Sequence, residues 1–210
     1  MADGSAAPPE VGVRRLEPRG EAADAALIRA ASLHLRCLPW TASSRAGLDV
    51  LEELYRAALL DEAGVVLTTS GGPAGEGGVA SGSVDLRATE RRVRQRMAAR
   101  RTLWLRLAAR AASAPLHLLA RWAWERVIPR EGIGYVLTLG VTEGSPVRGA
   151  ELLGALERAL VERGAREVWV DTERSNGRAV AFYARHGYEI ASARFGQVLL
   201  RKQVRGEGAA

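Results

Sequence analysis

The sequence predicts an α/β fold, a mixed central sheet flanked by helices, with a basic two-helix insert. Three observations predict it. Short apolar runs with period-two alternation occur toward both ends of the chain. Amphipathic stretches of helical spacing lie between the later runs, and parallel strands need such crossovers. One segment, Arg87 to Arg130, holds twelve arginines against only Glu90 and Glu125, while the whole chain carries +6. The remainder is therefore net acidic, and the insert alone sets the high isoelectric point.

In chain order, VGVRRL (11–16) alternates and suits a first strand. Glu21 to Arg36 and Leu48 to Leu60 space their apolar residues as helices do. Val65–Thr69 and Val79–Leu86 read as strands joined by the glycine-rich GGPAGEGG. The insert follows. Val93, Met97, Trp104, Leu107 and Ala111 recur at helical spacing, and Pro115 opens a second helix with Leu116, Leu119, Trp122 and Val127. After Pro129 come the strand GYVLTLGV, a helix from Pro146 to about Arg163 and the strand EVWVDT. The short helix GRAVAFYARHG and the strands YEIASAR and QVLLRKQ complete the chain. One domain spans 11–204 with the insert at 88–129. The Ala-, Pro- and Gly-rich ends, 1–10 and 205–210, are expected to be disordered tails.

Composition excludes several classes. No apolar run reaches the ~20 residues of a membrane span, because Arg106, Arg110, Arg121 and Arg126 interrupt the most apolar region. The opening MADGSAAPPE has neither the basic start nor the apolar core of a secretory signal, so a cytoplasmic location is expected. Cys37 is the sole cysteine and ends an apolar helical run, which suits a packed thiol better than a nucleophile. His34, His117 and His186 lack ligand spacing, so no metal is expected.

Chemistry concentrates in the C-terminal third. In SNGRAVAFYARHGYEI (175–190), Asn176 can cap a short helix and Gly187 can close it in the left-handed conformation. Phe182 is expected to pack inward, which turns Tyr183 elsewhere. In GYVLTLGVTEGSPVRGAELLGALERAL (134–160), Ser145 followed by Pro146 reads as a helix start. The N–H groups of Val147, Arg148 and Gly149 would then converge on an anion, with Arg148 adding charge. In VWVDTERSN (168–176), alternation puts Trp169, Asp171 and Glu173 on one face.

These segments resemble the GNAT superfamily of N-acetyltransferases. Asn176, Ala179, Phe182, Tyr183, Gly187 and Tyr188 meet every fixed position of N-x-x-A-x-x-F/L-Y-x-x-x-G-F/Y. Residues 134–160 are similar to its pyrophosphate segment. Gly149 matches the last glycine of R/Q-x-x-G-x-G/A, while Val147 replaces the preceding one and the turn is about two residues short. The strands carrying Tyr135 and Asp171 look most like protein N-terminal acetyltransferases of the ribosomal-protein type.

The resemblance implies a GNAT-like mixed sheet and acetyl-CoA as cosubstrate, bound between splayed central strands. It implies direct attack in a ternary complex by a primary amine, of a protein N-terminus or a small molecule. Tyr183 would protonate the departing thiolate and Asp171 would act as base. Leu139, Val141, Val147, Arg148, Gly149 and Asn176 would contact the cofactor, and Tyr135 the acceptor. A packing tyrosine and a structural aspartate are the alternative readings of Tyr183 and Asp171, and Glu143 is a second candidate base. A non-catalytic module that binds acyl-CoA or a partner is the alternative function. For the insert, the sequence leaves open a solvated hairpin over the cleft, a membrane surface, an acidic partner or an oligomer contact. Nucleic acid is accessible to it by charge attraction, without a recognition motif.

Overall fold

The computed structural model describes residues 12–17, 21–70, 76–112, 124, 128–129 and 131–204. The first half holds β1 (Gly12–Arg15), α1 (Glu21–Cys37), α2 (Ala42–Ala46), α3 (Leu48–Leu59), β2 (Gly64–Ser70) and β3 (Gly78–Ser83). The insert contributes α4 (Leu86–Ala98) and α5 (Arg101–Ala112). The second half holds β4 (Ile133–Val141), α6 (Gly149–Val161), β5 (Glu167–Glu173), α7 (Gly177–Arg185), β6 (Glu189–Arg194) and β7 (Gln197–Gln203). The expected tails and all of the helix from Pro115 to Val127 except Trp124 lie outside the described residues, Trp122 included, as does the Trp104 side chain.

One seven-stranded sheet has the order β1-β2-β3-β4-β5-β7-β6. Only β4 and β5 pair in parallel, and α6 supplies the crossover that a parallel pair requires. Alternation then decides which helices cover which face. Val66 and Val79 pack against α1 and α3 through Leu27, Leu33, Leu51 and Tyr55. Val65, Leu67, Ala80, Val136, Val168 and Val170 face α6 and α7. Leu152, Leu153, Leu156 and Leu160 of α6 are all buried there, each worth about 2 kcal/mol of apolar transfer.

The insert departs from expectation. The period running from Val93 through Ala111 suggests one helix, yet the chain turns at Ala99 and Arg100. Met97 and Leu103 both enter one pocket with Ala46 and Val50. Six residues apart on a continuous helix they would face about 240° apart, so the break lets both be buried. The strand expected through Leu86 ends at Ser83, because Asp85 caps α4 by accepting the Ala88 N–H at 2.8 Å. Buried Thr89 donates to the Asp61 carboxylate at 2.7 Å and lies 2.7 Å from the Ser83 hydroxyl. Glu53 of α3, 4% exposed, takes Arg96 at 2.9 Å and Arg100 at 3.1 Å. Charge and apolar contact together fasten the insert to α3.

Candidate functional site

The site begins where two strands part. Register between β4 and β5 runs from Ile133↔Glu167 to Val136↔Val170 and no further, although both strands continue. Beyond that rung, Leu139 to Val141 has no β5 partner, and the two central strands part. A bulge sits at the fork: Ser81 pairs with Thr138 but Gly82 with Val136, leaving Leu137 as an extra residue. The extra residue reverses the alternation. Ile133, Tyr135 and Leu137 face the cluster of Trp124, Trp169 and Leu199, whereas Leu139 and Val141 turn to the α6 side. Sequence carried no signal for this bulge, since it exists only in the pairing of two strands.

Tyr135 and Asp171 bracket the last rung. Tyr135 pairs with Trp169, so Asp171 is its diagonal neighbour on the same face. The buried Tyr135 hydroxyl donates to Asp171 Oδ1 at 2.6 Å, a length typical of a charge-assisted bond. Two candidates drawn from separate segments are thus one unit. Asp171 also acts electrically on Tyr183. The Tyr183 phenol is pushed well above the ordinary tyrosine value, first by burial and then by the Asp171 charge. Glu143 is exposed in the turn beyond β4.

Tyr183 owes its position to α7. Asn176 Oδ1 accepts the Ala179 N–H at 3.1 Å, capping the helix, and Gly187 ends it at φ +84°. Both are as the sequence suggests. Phe182 packs half-buried against the α6 cluster, as expected, but Tyr183 does not point elsewhere. Tyr183 is the buried ring, and Phe182 packs beside it at 5.3 Å in an edge-to-face pair. Tyr188 is held by its hydroxyl, which donates to Glu157 at 2.9 Å, and Lys202 reaches the same carboxylate at 2.7 Å.

The turn before α6 also differs from expectation. Ser145 and Pro146 do not start the helix; Arg148 is the N-cap and Gly149 the first helical residue. The Ser145 hydroxyl donates to the Val147 carbonyl at 2.7 Å and takes the Val147 N–H at 3.3 Å. The Arg148 N–H goes to Glu151 at 3.3 Å. The N–H groups lacking intrahelical acceptors in the first helical turn are therefore those of Gly149, Ala150 and Glu151. Buried Val147 is a core residue of the α6 cluster, and the set of free N–H groups lies two residues further along the chain than expected. The Arg148 side chain is 88% exposed and pairs with Glu151 at 3.2 Å on the helix surface. Close packing governs the turn too: a Cβ on Gly144 would fall 2.6 Å from the Glu76 carboxyl carbon.

Trp124 was missed as a site residue. No motif marks it in the sequence, yet it is 1% exposed and packs with Tyr135 and Trp169. Its indole N–H has no hydrogen-bond partner among the described residues. The insert therefore supplies one wall beside the Tyr135–Asp171 pair. Cys37 is half-buried, lies against Gly140 of β4, and burial pushes its thiol up to about 11. It is a protonated packing residue at neutral pH.

Comparison with known proteins agrees with this geometry. Residues 117–188 match the profile of the acetyltransferase (GNAT) family. No curated protein matches the sequence. Among solved structures, the ribosomal-protein-S18-alanine N-acetyltransferase of Escherichia coli is similar in fold, with TM-score 0.54 and 14% identity over 96% of this chain and 99% of that one. AAC(6')-Ib in complex with ribostamycin and coenzyme A gives TM-score 0.55 and 17% identity over 96% and 99%. The Bacillus subtilis acetyltransferase in complex with CoA gives 0.50 and 12% over 93% and 100%.

Proposed function

The chain carries a GNAT-family acetyltransferase domain, and from that premise we propose that it moves an acetyl group from acetyl-CoA to a primary amine. The observation that carries this reading is the 2.6 Å Tyr135–Asp171 bond at the strand fork, with Tyr183 within the field of the same carboxylate.

The residues present fit the cosubstrate. Leu139 and Val141 lie past the fork, the first-turn N–H groups of α6 suit a diphosphate, and exposed Arg148 can add charge. Asn176 Oδ1 is engaged in capping, which leaves its amide N–H groups available as donors. Bound acetyl-CoA would supply the thioester carbonyl as electrophile.

The acceptor's ammonium must first lose a proton, since its reference pKa lies above neutrality. Asp171, fixed by Tyr135, is the base that receives it, directly or through one water. Tyr135 thereby positions the base and, with Trp124, borders the acceptor's approach. Tyr183 retains its proton through the neutral range, because burial and Asp171 both raise its pKa. It is therefore available to donate to the departing sulfur. Acceptors of either size, a protein N-terminus or a small amine, satisfy this chemistry, and the N-terminal class matches the motifs around Tyr135 and Asp171.

One observation favours the alternative, a non-catalytic acyl-CoA-binding module. The N–H groups of Val147 and Arg148 are taken by Ser145 and Glu151, and Glu76 crowds the turn. Thiol release from acetyl-CoA, measured with peptide N-termini and small amines, separates the two. Asp171→Asn should slow turnover without lowering the melting temperature. The loss should be larger at about pH 7 than at about pH 9, where more amine is already neutral. If the folded variant turns over at the wild-type rate, Asp171 is structural and Tyr135 or Glu143 inherits its role.

A further inference from the structure

The insert's first helix has two unlike faces. Thr89, Val93 and Met97 of α4 turn inward, and Thr89 and Met97 are buried. Arg91, Arg92 and Arg94 are exposed on the opposite side beside Gln95, within one turn of the helix, and half-buried Arg87 lies a turn earlier. From Leu86 to Ala112 the sequence has nine arginines against one acid, Glu90. Part of that charge is consumed internally: Arg96 and Arg100 meet Glu53, and Arg106 meets Asp49. Arg91, Arg92, Arg94 and Arg101 are exposed and form no ion pair with another described residue.

We propose that the outward face of α4, centred on Arg91, Arg92 and Arg94, binds the phosphodiester backbone of nucleic acid without reading its sequence. Guanidinium groups meet phosphate oxygens in pairs, and a row of them along one helix matches a line of negative charge. The competing partners need something this face lacks. A helix lying in a membrane interface must bury an apolar face, but α4 has already spent its apolar residues against α3. Leu105, on α5, is the one exposed large apolar side chain described in the insert, and single exposures of this kind are ordinary. A protein partner would call for an apolar or aromatic centre to the patch. This inference rests on the insert alone and is independent of the acetyl-transfer reading.

The test uses the full chain and fluorescence anisotropy with a labelled RNA and a DNA duplex of mixed sequence, each about 20 nucleotides long, over a salt series. Binding should weaken linearly in log–log form, with similar affinity for unrelated sequences. Arg91→Gln/Arg94→Gln should lower the slope by about two. Arg14→Gln/Arg15→Gln removes the same charge from exposed positions on β1 and should leave the slope unchanged. An equal loss in both double variants would reduce the effect to bulk charge and overturn the proposal. So would an absence of binding at low salt, or sedimentation with phosphatidylserine vesicles in place of nucleic-acid binding.

Discussion

Tyr183 and Tyr135 are both buried tyrosines, yet the proposed reaction gives their hydroxyls opposite tasks. Tyr135 has a carboxylate to hold, and Tyr183 is left with a proton that burial makes hard to lose. If Tyr183 donates only as sulfur departs, Tyr183→Phe should lower kcat roughly 10- to 1000-fold with acetyl-CoA affinity nearly intact. Steady-state kinetics beside calorimetric binding would check it; unchanged kcat would reduce Tyr183 to packing. These residues were legible in the sequence because cap, tyrosine and glycine are fixed along one short helix. The deeper burial of Tyr183 than of Phe182 was not, since neighbours on a helix differ by about 100° and only the sheet beneath decides which points further in.

Elements impose their own requirements, and α1 and α3 meet at a buried polar contact. His34 is hydrogen-bonded to the Tyr55 hydroxyl at 2.8 Å and to Thr41 at 3.3 Å. Burial lowers the His34 pKa from 6.5 to about 4. The unfolded chain therefore binds the extra proton first as pH falls. His34 contributes stability in full above about pH 6.5, and loses roughly 3 kcal/mol of it between there and about pH 4. His34→Gln should flatten that part of the stability–pH curve in urea titrations, whatever its effect on absolute stability. An unchanged slope would assign the dependence to other groups.

Glu53 has the matching role between α3 and α4. Its three arginine neighbours are 30–57% exposed and can be solvated if the carboxylate is removed. Glu53→Gln should therefore cost about 1–3 kcal/mol, less than stranding a fully buried charge. Faster amide exchange should be confined to α4 and α5, and uniform exchange would contradict that anchoring. The helices themselves were legible from periodicity. The break at Ala99 was not, because its cause is a shared pocket on α2 and α3.

At the scale of the molecule, the strand order follows from one parallel pair with its crossover helix, set among antiparallel neighbours. Apolar period and turn glycines carry that information, so the fold could be read before the structure. The fork could not. It depends on where β4–β5 pairing stops and on the bulge at Leu137, neither of which leaves a mark in one strand's residues. The Tyr135–Asp171 bond is likewise a consequence of register, 36 residues apart in sequence.

The proposed transfer requires that this fork and the α6 N-terminus hold acetyl-CoA. Thermal unfolding of the intact chain with acetyl-CoA, CoA and dephospho-CoA tests it most directly. Ligand at 100-fold its dissociation constant adds about 2.7 kcal/mol, or roughly 5–10 °C for a chain of this length. Dephospho-CoA should act comparably, because the diphosphate is retained. No shift with any of the three at about 1 mM would mean binding weaker than millimolar, and would contradict the acetyl-CoA site and the transfer reaction built on it.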